Sequence, residues 1–398
     1  VTADPGEKTT PRTTRPPSAL LPLLTGGMGL SMFVLYAIGA LGPFLVADLD
    51  LSGPRLGLLT AVTFGTAALL SLYAGHAADL VGGRRALALL GVLVACAFAA
   101  LAASHSYGLL LAALVAGGAA QSLANPATNK LIAAHVPPQR RAMAVGVKQS
   151  GVPLAAFTAG LVLPSLAQAT SWRTALALVV PLALAAAGAA LLLPADGPPP
   201  SGAALSLPSP PNTPTRWLMG VSFFIGCGLA SLTTYLPLYA HERLSLGERG
   251  AGALIAAVGV SGIAARLLWS KYSDRLDVPR SLLVLAVAAV ASALLLPAAA
   301  AGTWLVWAGA VGLGGSAAAA NAITMVAVTR GSGFGRTGHA SALVSLGFFA
   351  GFVAGPPAFG LLVASAGGWT AGWALVTAAF AVAAVLSWAG RGPVRRSV

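Results

Sequence analysis

The chain has 398 residues, 57% of them hydrophobic and only 8% charged, with a formal net charge of +13. A soluble domain carries about a quarter charged residues, so most of this chain is unsuited to water. The basic excess is confined to a few connecting segments, which argues against a nucleic-acid partner.

Residues 1–18 form a polar, Pro-rich tail with no cleavable signal peptide evident. Apolar stretches then recur, each about 20 residues and long enough to cross a bilayer as a helix. The first six fall near 22–46, 54–76, 84–103, 108–134, 142–166 and 173–193, giving a bundle over 19–193. A Pro/Ser/Gly-rich segment over 194–214 reads as a mobile linker. Six more follow near 215–239, 249–269, 281–300, 303–328, 339–364 and 369–390, a second bundle over 215–390, before a basic tail at 391–398. The expected fold is all-α and integral to the membrane, with twelve transmembrane helices in two six-helix bundles related by pseudo-two-fold symmetry.

An internal repeat supports that division. Gly75-His76-Ala77-Ala78-Asp79-Leu80-Val81-Gly82-Gly83-Arg84-Arg85 returns loosely as Ser270-Lys271-Tyr272-Ser273-Asp274-Arg275-Leu276-Asp277-Val278-Pro279-Arg280. Pro43 with Pro237, Asp79 with Asp274, Asn125 with Asn321, Arg140 with Arg336 and Gly151 with Gly347 keep offsets of 194 to 196. Two homologous membrane halves are the mark of a secondary transporter. When the spans are alternated, sixteen Lys and Arg fall on the face that carries both chain ends and the linker. Only Arg55, Arg173, Arg243 and Arg249 fall on the other. The positive-inside rule then places both termini in the cytoplasm.

On these residues the chain resembles the major facilitator superfamily over essentially its whole length. That family's signature after the second helix is Gly-x-Leu-Ala-Asp-Arg-x-Gly-Arg-Lys/Arg, matched here at Gly75, Ala78, Asp79, Gly82 and Arg84. Leu80 and Gly83 replace two of its basic residues, while the second copy retains Asp274-Arg275. The resemblance implies a conformational latch at Gly75, Asp79, Gly82, Arg84, Asp274 and Arg275. Asp79 is expected to meet a helix N-terminus or an Arg of the partner half. Gly82 and Gly83 are expected to permit the tight turn.

Two cations stand inside the spans where the repeat has none. Lys148 lies seven residues past Arg141, roughly 10 Å along its helix, and Arg266 lies eight before Asp274, about 12 Å back along its own. A cation within the bilayer must be paired or hydrated. Yet all ten acidic residues lie in tails, loops or at helix ends. The empty cavity is therefore expected to be electropositive and completed by an anion. Arg266 also resembles the anion-binding Arg of oxalate, nitrate and monocarboxylate carriers in the same superfamily. Gln149, Ser150, Asn125, Tyr235 and Asn321 are expected to supply hydrogen bonds. Lys130, nearer a helix end, is expected to snorkel, and His339 is the best-placed His for a proton.

No cofactor or metal site is expected, and nothing points to an enzyme: there is no phosphate-binding Gly-Lys-Ser/Thr loop and no metal-ligand spacing. Cys96 and Cys227 lie inside predicted helices, so no disulfide framework is expected. The reading is a monomeric secondary transporter of a small solute, an organic or inorganic anion, in the cytoplasmic membrane. Its partners are the lipid bilayer and a counter-ion or proton. The alternative is an efflux pump for drugs or secondary metabolites, with Trp304, Trp307 and the Ala/Val/Leu-rich walls contacting the cargo and both cations structural.

Overall fold

The computed structural model describes residues 19–194, 210–272, 277–330, 334 and 337–390. Its elements are α1 (Leu20–Ala40), α2 (Gly42–Leu49), α3 (Gly53–Val81), α4 (Gly83–Ala102), α5 (Tyr107–His135), α6 (Pro138–Gln149), α7 (Gly151–Ala169), α8 (Trp172–Ala177) and α9 (Val179–Leu191). They continue as α10 (Thr213–Leu244), α11 (Glu248–Tyr272), α12 (Val278–Ala298), α13 (Trp304–Arg330), α14 (Thr337–Ala364) and α15 (Gly368–Ala389). Among the described residues, twelve segments are long and apolar enough to span a membrane; α6 with α7 makes the fifth and α8 with α9 the sixth. Both tails and residues 195–209 of the expected linker lie outside the described residues. We call the face at which α1 begins the terminal face, and its opposite the far face.

The repeat is visible in packing as well as in sequence. A Cβ placed on Gly151 would strike the Thr25 carbonyl of α1, and one on Gly347 would strike the Met219 carbonyl of α10. Thr25 and Met219 are themselves 194 residues apart, so the first and fifth spans meet as the seventh and eleventh do. Small residues allow this close approach, because lipid supplies no hydrophobic drive to hold helices together.

One expectation fails at the end of the first span. A single helix was expected over 22–46; α1 stops at Ala40, and α2 begins after Leu41, which sits at φ −95° and ψ 6°. Pro43 removes a backbone donor at the start of α2 and disfavours helical geometry in the residue before it. Its repeat mate Pro237 stays within α10. There the Thr233 carbonyl, which Pro237 deprives of its usual donor, packs against Gly39 of the other half.

Between the halves, α3 lies along α14 and α7 along α11. Near the far face the contacts are intimate. Tyr235 Oη donates to the Gly53 carbonyl at 2.6 Å and the Pro356 carbonyl at 3.0 Å. Thr60 and Thr234 share a hydrogen bond of 2.9 Å, and Gln168 Nε2 donates to Glu248 at 2.8 Å. Phe64 reaches Phe352 with ring centroids 4.4 Å apart. α6, on the terminal side, packs on α1 and α5 of its own half and buries only Ala144 and Lys148 among its described side chains. The far side is closed.

A Cβ at Gly57 would fall on the Pro356 carbonyl and the Tyr235 hydroxyl. Gly57→Leu is therefore expected to prop the far side open. In a background lacking Cys96 and Cys227, an impermeant maleimide should label Thr234→Cys faster when Gly57→Leu is added. Thr234 is fully buried in the closed form, so equal labelling rates would count against this closure.

Candidate substrate site

The site grows from one stripe of α5 and one interruption between α6 and α7. Gln121, Asn125 and Thr128 recur at helical spacing and share a face, with Asn129 beside them. Lys148, in the last turn of α6, is fully buried against that stripe. Its Nζ donates to Thr128 Oγ1 at 2.7 Å, Asn129 Oδ1 at 2.7 Å and Asn125 Oδ1 at 3.1 Å. Those are all the donors an ammonium has, and all three acceptors are neutral. Thr128 passes its own proton to the Ala124 carbonyl, so its oxygen is fixed as an acceptor toward Lys148. Gln121 Oε1 on the same stripe is buried without a hydrogen-bond partner among the described residues.

The next residue carries the second cation's contact. The helical partner of the Gln149 carbonyl would be the N–H of residue 153, and residue 153 is proline. The carbonyl is left without an intrahelical donor, and α6 ends there. Arg266 of α11 donates Nη1 to it from the other half. Arg266 Nε is buried with no partner among the described residues. Gln149 also turns its side chain inward, donating Nε2 to Asn125 Oδ1 at 3.3 Å. Arg266, Lys148, Gln149 and Asn125 therefore form one connected group spanning both halves.

Other expected members lie elsewhere. Ser150 spends its hydroxyl on the Val147 carbonyl at 2.6 Å. Asn321 is half-buried on α13 and makes no hydrogen bond to this group among the described residues. Tyr235 is fully buried at the far closure, stacked on Phe359 at 4.5 Å, with its hydroxyl already committed to two carbonyls. The expectation that it faces the Lys148 group is not met, because those carbonyls belong to the far ends of α3 and α14. Thr128 and Asn129 complete the Lys148 cage instead. Their spacing from Asn125 made them readable in the sequence.

At the expected latch, Gly82 takes φ 90°, a left-handed conformation suited to glycine, whereas Gly83 simply opens α4. Asp79 pairs with Lys130 of its own half at 3.2 Å. Lys130 also donates to the Ala78 and Asp79 carbonyls, each at 3.0 Å. It thus caps the C-terminal end of α3, where a cation is favoured by the exposed carbonyls. Arg84 reaches the Leu193 carbonyl at 3.3 Å. A Cβ at Gly75 would meet nothing within 4 Å. Asp274, Arg275 and Arg336 lie outside the described residues, as does the side chain of His339.

Twelve spans in two repeated halves, with polar and cationic groups meeting between them, define a membrane transporter of the alternating-access kind. The Major Facilitator Superfamily model matches residues 24–335, and the chain belongs to that family. It is 27% identical over 148 residues to a hexuronate transporter of Bacillus subtilis (strain 168), a match covering 37% of this chain and 35% of that transporter's length. Two solved structures share the fold. A D-xylose–proton symporter superposes with a TM-score of 0.76 at 15% identity, covering 93% of this chain and 97% of that one. A nucleoside transporter superposes with a TM-score of 0.74 at 15% identity, covering 93% and 99%.

A hydrogen bond to a charged group contributes about 1.5–3 kcal/mol to stability. Asn129→Leu, which leaves Lys148 one acceptor short, is expected to cost about 2 kcal/mol by that measure. Once Lys148 is replaced by Met, most of that cost should vanish. Denaturant unfolding of the two single variants and the double variant gives the coupling directly. Additive losses would mean that Asn129 does not serve the lysine.

Proposed function

We propose that this transporter carries a small carboxylate or similarly sized anion, bound between its halves by Arg266 and Lys148. The carrying observation is that two cations, one from each half, are held at consecutive residues, Lys148 itself and the Gln149 carbonyl, with no acidic side chain paired to either among the described residues. The acidic residues among those described sit at helix ends or in connections. Neutral oxygens tolerate an ammonium in this setting, and an anion would add charge-assisted bonds to the same groups. The name of the Bacillus relative supports the reading, since a hexuronate is a sugar carboxylate. Gln149 and Asn125 would contribute hydrogen bonds. Ser150 and Asn321 would be recruited only on closure of the terminal side, and Tyr235 would serve that cycle as a far-side pin.

Arg84, Arg85, Arg140, Arg141, Arg216 and Arg280 all belong to the terminal face. By the positive-inside rule that face is cytoplasmic, and the protein is a multi-pass component of the cytoplasmic membrane. The state closed on the far side would then be the one that exchanges solute with the cytoplasm. Residues 19–193 and 215–390 would move as the two rocking bodies, tethered by 194–214. Asp79, with Gly75, Gly82, Arg84, Asp274 and Arg275, would form the latch that is remade when the terminal side closes.

Binding to the native state raises its stability by mass action, so a thermal-shift screen against carboxylates, phosphates, inorganic anions and cationic amphiphiles tests the reading directly. An anion should stabilise the purified protein, and Arg266→Gln or Lys148→Gln should each remove that response while the protein still folds. Stabilisation by cationic amphiphiles alone would reject the anion site in favour of drug efflux. In proteoliposomes, Asp79→Asn should slow exchange several-fold yet leave equilibrium affinity within a few-fold of the parent. Loss of affinity would move Asp79 from the latch to the site.

A further inference from the structure

Proline at position 153 shapes a contact beyond its own ring. It has no N–H, so the carbonyl of Gln149 lacks its helical donor. A buried carbonyl seeks a partner, and the one it has is Nη1 of Arg266, reaching across from α11. The approach is possible because α11 runs tightly along α7. A Cβ at Gly259 would strike the Pro153 carbonyl, and one at Gly262 would touch the Pro153 ring.

Which nitrogen the carbonyl takes matters. A guanidinium is a rigid planar fork, and it binds carboxylate best through two parallel N–H bonds from one edge. Nε and Nη2 form one edge within that plane, and Nη1 is not part of it. Nε is buried and has no partner among the described residues. The Gln149 carbonyl therefore holds the guanidinium by one corner and leaves its Nε unspent.

We propose that Pro153 is a positioning residue that sets anion selectivity: by orphaning the Gln149 carbonyl it orients Arg266 so that the Nε edge receives a planar carboxylate. This rests on the anion reading above. A spherical ion gains only charge from such an arrangement, whereas a carboxylate also gains the pair of aligned bonds. Pro153 thus favours carboxylate over halide without touching either.

The test restores the missing donor. Pro153→Ala and Pro153→Val both return an N–H to the Gln149 carbonyl, and the two differ in the volume they leave beside Gly262. Binding of glucuronate and of iodide is measured by calorimetry on the parent, both variants and Arg266→Gln. Losing the fixed orientation of one long side chain should weaken glucuronate binding by roughly tenfold. Iodide affinity should change little, so the glucuronate-to-iodide ratio should fall alike in both variants. A packing defect would instead scale with volume and affect both ions together, overturning the proposal. If Arg266→Gln loses glucuronate while both proline variants keep the parent's ratio, Pro153 has no such role and the anion reading stands. If the parent binds no glucuronate, or Arg266→Gln binds it undiminished, the carboxylate reading falls and this inference falls with it.

Discussion

Lipid has nothing to offer a charge, and the arrangement of this molecule's interior follows from how it meets that constraint. An ammonium or guanidinium in a span costs several kcal/mol unless paired or hydrated. The usual remedy is a carboxylate. Here Lys148 is met by an alcohol and two amides, and Arg266 by a backbone carbonyl. Neutral oxygens satisfy hydrogen bonding while leaving the charge uncancelled, so the field of both cations persists at the meeting point of the halves. A carboxylate in the same place would have closed the site electrostatically.

The backbone is arranged to make this possible. Helices normally keep their carbonyls for themselves, and a proline releases the one four residues before it. In this chain several released carbonyls lie at the boundary between halves. That of Gln149 takes Arg266, and that of Thr233 packs on Gly39. Glycine supplies the complementary property, since at Gly57 a single added carbon would collide with both Pro356 and Tyr235. Prolines open polar backbone toward the partner half, and glycines let the partner come near enough to use it. The result is a far side closed by short contacts that contain no ion pair among the described residues. Such a seam breaks without stranding a charge in lipid.

How much of this could be read from the chain depended on whether a feature was written in sequence period or in three-dimensional depth. The spans, the repeat and the two unmatched cations are periodic or compositional, and they were legible. So was the stripe of Gln121, Asn125 and Thr128, because helical spacing alone puts these residues on one face. Depth was harder. Tyr235 read as a hydrogen-bonding member of the site, but its hydroxyl is spent on carbonyls at the far closure. Asp79 was expected to meet a helix N-terminus or an Arg of the partner half; among the described residues Lys130 meets both its carboxylate and the end of α3. Pro43 and Pro237 occupy equivalent places in the repeat and behave differently, one ending a helix and one lying within it. Proline fixes what the backbone loses there, and the packing around it decides how the loss is met.

The same reasoning explains why the site breaks the symmetry that the scaffold keeps. Gly151 and Gly347 make equivalent contacts with Thr25 and Met219, so the repeat governs how helices touch. Lys148 has Val344 as its mate, and Arg266 has Ser71. Two rocking bodies need matched seams to pivot, and duplication supplies them. A site that holds one solute needs no such match, since a second pair of cations would double the desolvation cost. Divergence from the repeat therefore concentrates where the protein must be asymmetric. In this chain it converges on Gln149, the peptide that joins the charge of one half to the charge of the other.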